Sequence, residues 1–237
     1  MAEVTPDFTG LRQNPVAVLT SGGLDSAILV AEVARVSPQV FPIYIRAGLH
    51  WEATELAHVQ RFLHALAPAH PTLQPLVILE QPVLDLYGTH WSLTGQNVPD
   101  AATPDEAVYL PGRNLLLLLK ALLWCHLHGV KHLALGVLGS NPFPDASPAF
   151  FTRLAEVVGQ GVGDSLQVVR PYGHLHKADV MRRGEGLPLE WSFSCIQPRD
   201  GLHCGRCNKC AERQQAFRAV GWQDPTRYAA FHAARGA

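Results

Sequence analysis

Four apolar residues, Val16-Ala17-Val18-Leu19, run through Thr20 into Ser21-Gly22-Gly23-Leu24-Asp25-Ser26, and helical spacing begins at once after that. No other stretch restricts the fold as much. A strand that passes through two glycines directly into a helix is the opening unit of a parallel α/β sheet. The same turn makes an anion site. Glycine lets backbone N–H groups point inward, and a helix N-terminus adds about half a positive charge. Ser21 and Ser26 supply two more donors. Asp25 is out of place beside an anion unless it caps the helix or holds Mg2+. The turn lacks the Gly-Lys-Ser/Thr ending of a Walker A loop.

The alternation continues downstream. Apolar runs predict strands at 16–19, 40–45, 76–79, 133–137 and 167–169, and helical spacing predicts helices at 26–35, 52–67, 113–129, 149–159 and 177–183. Such an order implies a five-stranded parallel sheet, doubly wound, with helices on both faces and ligands beyond the strands' carboxyl ends. Residues 14–186 would form this α/β domain and residues 187–237 a helical region packed on it. Residues 81–111 are long and rich in turn formers. Their aromatics, Trp91 and Tyr109, either stack on a planar ring or pin the segment to the core.

The charge balance excludes several functions. Nineteen Lys and Arg face 20 Asp and Glu, a net charge of −1 without a basic run, so neither nucleic acid nor a membrane surface is expected as a partner. The apolar stretch from Leu115 is broken by Lys120 and His126, too soon to span a bilayer. The start, Met1-Ala2-Glu3-Val4, carries neither a basic nor an apolar leader, so a cytoplasmic protein with reduced thiols is expected.

Five cysteines then need another reason. Cys204, Cys207 and Cys210 have two-residue gaps, Cys195 lies upstream, and Gly201 and Gly205 allow the turns that bring them together. Four thiolates suit a tetrahedral structural Zn2+ site. The spacing also suits an iron–sulfur cluster, but the polar Arg206, Asn208 and Lys209 and the absence of a following proline favour zinc. His203 could replace one sulfur as a ligand but reads rather as a flanking surface residue, and Cys125, among leucines, as a small buried hydrophobe.

The Ser-Gly-Gly-x-Asp-Ser turn resembles the pyrophosphate loop of the N-type ATP pyrophosphatases. Together with the late Cys-x8-Cys-x2-Cys-x2-Cys pattern, it resembles the QueC family, the 7-cyano-7-deazaguanine synthases. Tyr109-Leu110-Pro111-Gly112-Arg113-Asn114, Pro171, Lys177-Ala178-Asp179, His203-Cys204-Gly205, Arg213 and Phe217 extend the likeness over about residues 16–220. Three segments depart from it. Gly48-Leu49-His50-Trp51 replaces Gly-Gln-x-His, Asn141 to Ser147 keeps only Pro144-Asp145 of Gly-Tyr-Pro-Asp-Cys-Arg, and Ser192-Phe193-Ser194-Cys195 replaces Thr-Trp-Ser-Cys.

The resemblance implies an adenine nucleotide alpha-hydrolase-like fold and a C–N ligase. That enzyme would convert 7-carboxy-7-deazaguanine and ammonia to the nitrile, using ATP, Mg2+ and Zn2+, as a homodimer. Residues 19–27 (Leu19, Thr20, Ser21, Gly22, Gly23, Leu24, Asp25, Ser26 and Ala27) would hold ATP. Ser21, Asp25, Ser26, Arg113 and Lys177 would be catalytic, and Cys195, Cys204, Cys207 and Cys210 would bind zinc. Trp91, Tyr109, Asn114, Phe143 and Asp145 would meet the substrate, although Asn114 also reads as a helix cap and Asp145 as a turn residue. His50, after the second strand, is the histidine nearest to the expected nucleotide, whereas His64, His126 and His128 read as surface or packing residues. The altered segments leave open the same chemistry on another carboxylate. A tRNA-thiolating enzyme with an iron–sulfur cluster and a non-enzymatic nucleotide-binding module are the remaining alternatives.

Overall fold

The computed structural model describes residues 5–229; residues 230–237 of the expected C-terminal region lie outside them. Five parallel strands, β1 (Val16–Leu19), β2 (Val40–Arg46), β3 (Val77–Glu80), β4 (His132–Ala134) and β5 (Gln167–Val169), form one sheet in the order 3-2-1-4-5. The chain winds outward from β1 to β3, then crosses back to β4. Between β1 and β4 the direction of winding reverses, and the carboxyl ends of these two strands open a crevice.

The helices are α1 (Leu24–Val36), α2 (Glu52–Leu66), α3 (Leu84–Tyr87), α4 (Trp91–Thr94), α5 (Arg113–Leu127), α6 (Pro148–Val162), α7 (Lys177–Arg183) and α8 (Asn208–Ala219). Strand side chains alternate between faces, and this sorts the core into two layers. Val16 and Val18 of β1, with Val40 and Tyr44 of β2, pack against α1, α2 and α7. Ala17, Ile43 and Ile45 face α5 and α6 through Leu118, Leu122, Phe151 and Val158. Near-continuous apolar runs are what a parallel sheet covered on both faces requires.

The expected strands and helices are present with shifted ends. The fourth strand ends at Ala134 rather than 137; the Leu135 N–H still donates to the Val169 carbonyl at 2.9 Å, and residues 135–137 line the crevice. Helix α6 begins one residue early, where Ser147 accepts from the Phe150 N–H and Pro148 takes the first helical position, and it runs to Gly163 in the left-handed region. Residues 81–111 hold two single-turn helices, α3 and α4, and a 3-10 turn at Asp105–Val108.

Residues after Leu187 share both neighbouring cores. Leu189, Ala216 and Phe217 pack with α1 and α7, while Phe193, Ile196 and the four clustered cysteines pack with Ala47, Leu49, Trp51 and Leu110. Arg213 of α8 is 1% exposed. It donates to Thr226 Oγ1 at 2.6 Å, Ser192 Oγ at 2.9 Å and the Leu189 carbonyl at 2.9 Å, so a guanidinium ties three segments together. Among the described residues, no helix is long and apolar enough to cross a membrane.

Leu122 of α5 faces the sheet at 0% exposure. Leu122→Ala should cost about 3 kcal/mol through lost transfer and cavity terms, read as a lower urea midpoint with an unchanged slope.

Candidate active site and metal centre

The glycine turn sits at the crevice. Gly22 has φ +81°, and its carbonyl accepts from the Phe193 N–H at 2.6 Å. A side chain here would strain the backbone and also collide, since a Cβ would stand 2.9 Å from Val59 Cγ2 and 3.2 Å from Glu55 Cγ. Gly136, just beyond β4, presses on the same turn, because a Cβ there would lie 3.0 Å from the Asp25 carbonyl carbon. Gly23 is the N-cap of α1 and makes no side-chain cap, so the first N–H groups of the helix remain open to a ligand. Ser21 Oγ and Ser26 Oγ lie 3.2 Å apart, and Ser26 Oγ donates to the Gly23 carbonyl at 3.1 Å.

Two cavities adjoin this turn. The first, about 250 Å³, has apolar walls from Leu19, Ile45, Leu117 and Leu135. The second, about 300 Å³, is lined by Trp51, Trp91, Phe193, Lys177 and Lys209. Ser21, Gly23, Asp25 and Arg113 belong to both.

Asp25 does not cap α1. Its carboxylate receives Lys177 Nζ at 2.8 and 2.9 Å, and Lys177 lies 3.7 Å from Glu212, which in turn pairs with Lys209 at 2.7 Å. Burial opposes the charge on Lys177, but Asp25 and Glu212 outweigh it and hold its pKa above the usual lysine value. Arg113 opens α5 directly after Gly112, whose φ is +73°. Its Nε is buried without a hydrogen-bond partner, a donor set up for a ligand that carries negative charge.

Asn114 is not the cap of α5, which is Gly112. The Asn114 N–H donates to Asp145 Oδ2 at 3.0 Å and its Nδ2 to the Asp145 carbonyl at 3.0 Å, so Asp145 satisfies the first turn of α5 from a distant loop. Both still line the first cavity, beside Tyr109 and Phe143, whose rings stack at 4.9 Å. Trp91 stacks on Trp51 at 5.8 Å and joins the second cavity wall. His50 lies away from both cavities, with its ring packed on Gly95.

Sequence reasoning passed over Glu55 of α2. It lines both cavities, and Tyr44 Oη donates to its Oε2 at 2.7 Å. Burial pushes its carboxyl up to about 7, against the opposing pull of Tyr44 and Arg113. Burial likewise pushes the Tyr44 hydroxyl up, with Glu55 adding to it. The available signal was position, since α2 begins beyond the carboxyl end of β2 and Glu55 lies in its first turn.

The four cysteine sulfurs lie within 4.8 Å of one another, all buried. Backbone N–H groups of Cys204 and Gln197 donate to Cys195 Sγ at 3.2 and 3.3 Å, and that of Cys207 to Cys204 Sγ at 3.3 Å. Such a set could hold a metal ion as thiolates. His203 is not a surface residue. It is 1% exposed, packs on Phe193 at 4.5 Å, and its Nε2 accepts from the Ser194 N–H at 3.2 Å, which steadies the segment carrying Cys195.

The family model described as "Queuosine biosynthesis protein QueC" matches residues 15–221. A relative from Azoarcus sp. (strain BH72), a 7-cyano-7-deazaguanine synthase, is 33% identical over 90% of this chain and 96% of its own. Another of that name, from Thiobacillus denitrificans (strain ATCC 25259 / T1), is 35% identical over 90% and 97%. The solved 4-thiouridine synthetase–RNA complex with bound ATP shares the fold, with a TM-score of 0.50 and 13% identity over 87% of this chain and 50% of that one.

The purified protein should carry one equivalent of bound metal. Cys204→Ser should lose it and melt at a lower temperature, since a structural thiolate site contributes on the order of 10 kcal/mol to folding; elemental analysis and calorimetry read both.

Proposed function

The chain belongs to the QueC family and is an enzyme, and on that premise we propose that it is an ATP-dependent C–N ligase that makes 7-cyano-7-deazaguanine from 7-carboxy-7-deazaguanine and ammonia. A carboxylate resists attack because its leaving group would be oxide. Transfer of AMP from ATP makes that oxygen a good leaving group. Ammonia then gives the amide, and a second ATP adenylates the amide oxygen so that AMP loss leaves the nitrile.

The observation that carries this reading is the placement of the glycine turn and the unpartnered Arg113 Nε at the junction of two cavities. The apolar first cavity suits an adenine ring, and the second, with Trp91 and Phe143, suits a planar acid. At the junction, the N–H groups of Gly22, Gly23 and the start of α1, with Ser21, Ser26 and Lys177, bind the departing pyrophosphate as its charge grows. Arg113 meets the substrate carboxylate or the α-phosphate. Asn114 and Asp145, whose polar atoms engage each other, hold the wall that carries Phe143. Asp25 offers carboxylate oxygens suited to a hard cation such as Mg2+, which would displace Lys177 from them.

Zinc is the metal we assign to the cysteines. Zn–S bonds of about 2.3 Å put tetrahedral sulfurs about 3.8 Å apart. The Cys204–Cys210 and Cys207–Cys195 sulfur pairs stand at 3.9 Å. A four-iron cluster holds its cysteines further apart, so the spacing supports a single ion whose role is structural.

Incubation with α-labelled ATP, ammonium and 7-carboxy-7-deazaguanine should yield AMP, pyrophosphate and the nitrile; release of ADP and orthophosphate alone would overturn the reading. AMP release with other acids, but not with this one, would shift it to a different carboxylate. Lys177→Met should lower kcat by about 10²-fold through lost transition-state charge stabilisation, measured by pyrophosphate release. Gly22→Ala should remain folded yet bind ATP at least about tenfold more weakly, because a side chain at positive φ displaces the turn; titration calorimetry reads this.

A further inference from the structure

One titratable group at the cavity junction has no task in the chemistry above. Asp25 and Glu55 are the two carboxylates that line both cavities. Asp25 is held by Lys177, whereas Glu55 has no cation within ion-pair distance among the described residues. Its stem touches the glycine turn, since only the missing side chain of Gly22 leaves room for Glu55 Cγ. Tyr44 Oη fixes the carboxyl at 2.7 Å. A carboxylate without an ion-pair contact beside a phosphate site is unfavourable for binding alone. Its position is explained if it handles protons at the carbon being aminated.

Resting on the proposed reaction, we infer that Glu55 is the catalytic base that takes protons from the nitrogen, first of the attacking ammonia and then of the adenylated amide. In the first half, the ammonia lone pair forms the C–N bond while the C=O pair moves onto oxygen. Glu55 accepts one N–H proton, the oxygen pair returns, and the C–O bond to AMP breaks with its electrons leaving on AMP. In the second half, the amide oxygen displaces pyrophosphate from ATP and leaves nitrogen with two protons. Glu55 accepts them in turn and releases each to solvent. As the second departs, the N–H pair becomes the third C–N bond and AMP leaves again. Burial supports this role, because a base poised near neutrality is matched to proton transfer at working pH. The side chain is already ordered by Tyr44, so no reorganisation precedes the transfer.

The test separates this step from adenylation. Labelled pyrophosphate exchange into ATP, with 7-carboxy-7-deazaguanine and no ammonia, reports adenylation alone. Nitrile formation from ATP and the 7-amide reports the second half without the ionisation of ammonia. In the wild type, the nitrile rate should fall below about pH 7 as Glu55 takes up a proton. Glu55→Gln should keep its exchange, lose about 10²–10³-fold in nitrile formation, and lose the acid limb of the pH profile. Glu55→Asp should restore part of the rate and the acid limb, and it serves as well if the Gln variant does not fold. Wild-type nitrile rates in Glu55→Gln, or equal losses of exchange and nitrile formation, would overturn the inference. Absence of acid-dependent exchange in the wild type would instead overturn the reaction itself.

Discussion

Everything at the site depends on how closely other backbone and side chains approach Gly22 and its neighbours. Gly22 is pressed by Val59 and Glu55 of α2 on one side and bonded to Phe193 on the other, while Gly136 closes on Asp25 from beyond β4. Three segments remote in sequence therefore converge on one turn. Interiors are close-packed, so a turn held from several directions cannot adjust to a ligand by loosening. The site is preorganised, which is what stabilisation of a growing charge requires.

The same convergence links the cysteine cluster to the glycine turn. Phe193 bonds to the turn, and Cys195 lies two residues further along the same strand-like segment. His203, beside Cys204, bonds back to Ser194 between them. Arg213, on the helix that also carries Cys210, grips Ser192 and the Leu189 carbonyl. A guanidinium taken out of water is expensive unless its donors are met, and here oxygen acceptors meet it at every arm. The cysteine cluster and Arg213 thus hold the segment 193–196, which lines the second cavity. Lys177, Lys209 and Arg113 face that cavity from different elements. Asp25 and Glu212 line it as well and pair with the two lysines, so the lysines stand in the cavity wall as ion pairs.

The order of strands and helices was legible because it rests on local periodicity, and the turn after β1 because glycines and hydroxyls declare their use at short range. The cysteine set was legible because ligand spacing is written along the chain. Asn114 and Asp145 were half legible. Each was marked as a candidate, but their pairing across the first turn of α5 depends on a loop far away in sequence. His203 misled because its polarity suggests the surface, whereas the walls of Phe193 and Tyr228 rings exist only after folding.

By itself, the sequence determined a doubly wound parallel sheet, a glycine turn between its first strand and first helix, and four thiols close enough to share an ion. Periodicity and short spacings suffice for these, because neighbours in the chain are neighbours in space. Tertiary structure alone decided that Glu55 and Arg113 meet at the junction of two cavities, that Asp25 pairs with Lys177 and that His50 turns aside. Those outcomes depend on which helix lies beside which strand end, and no local pattern of residues encodes a distance across the sheet.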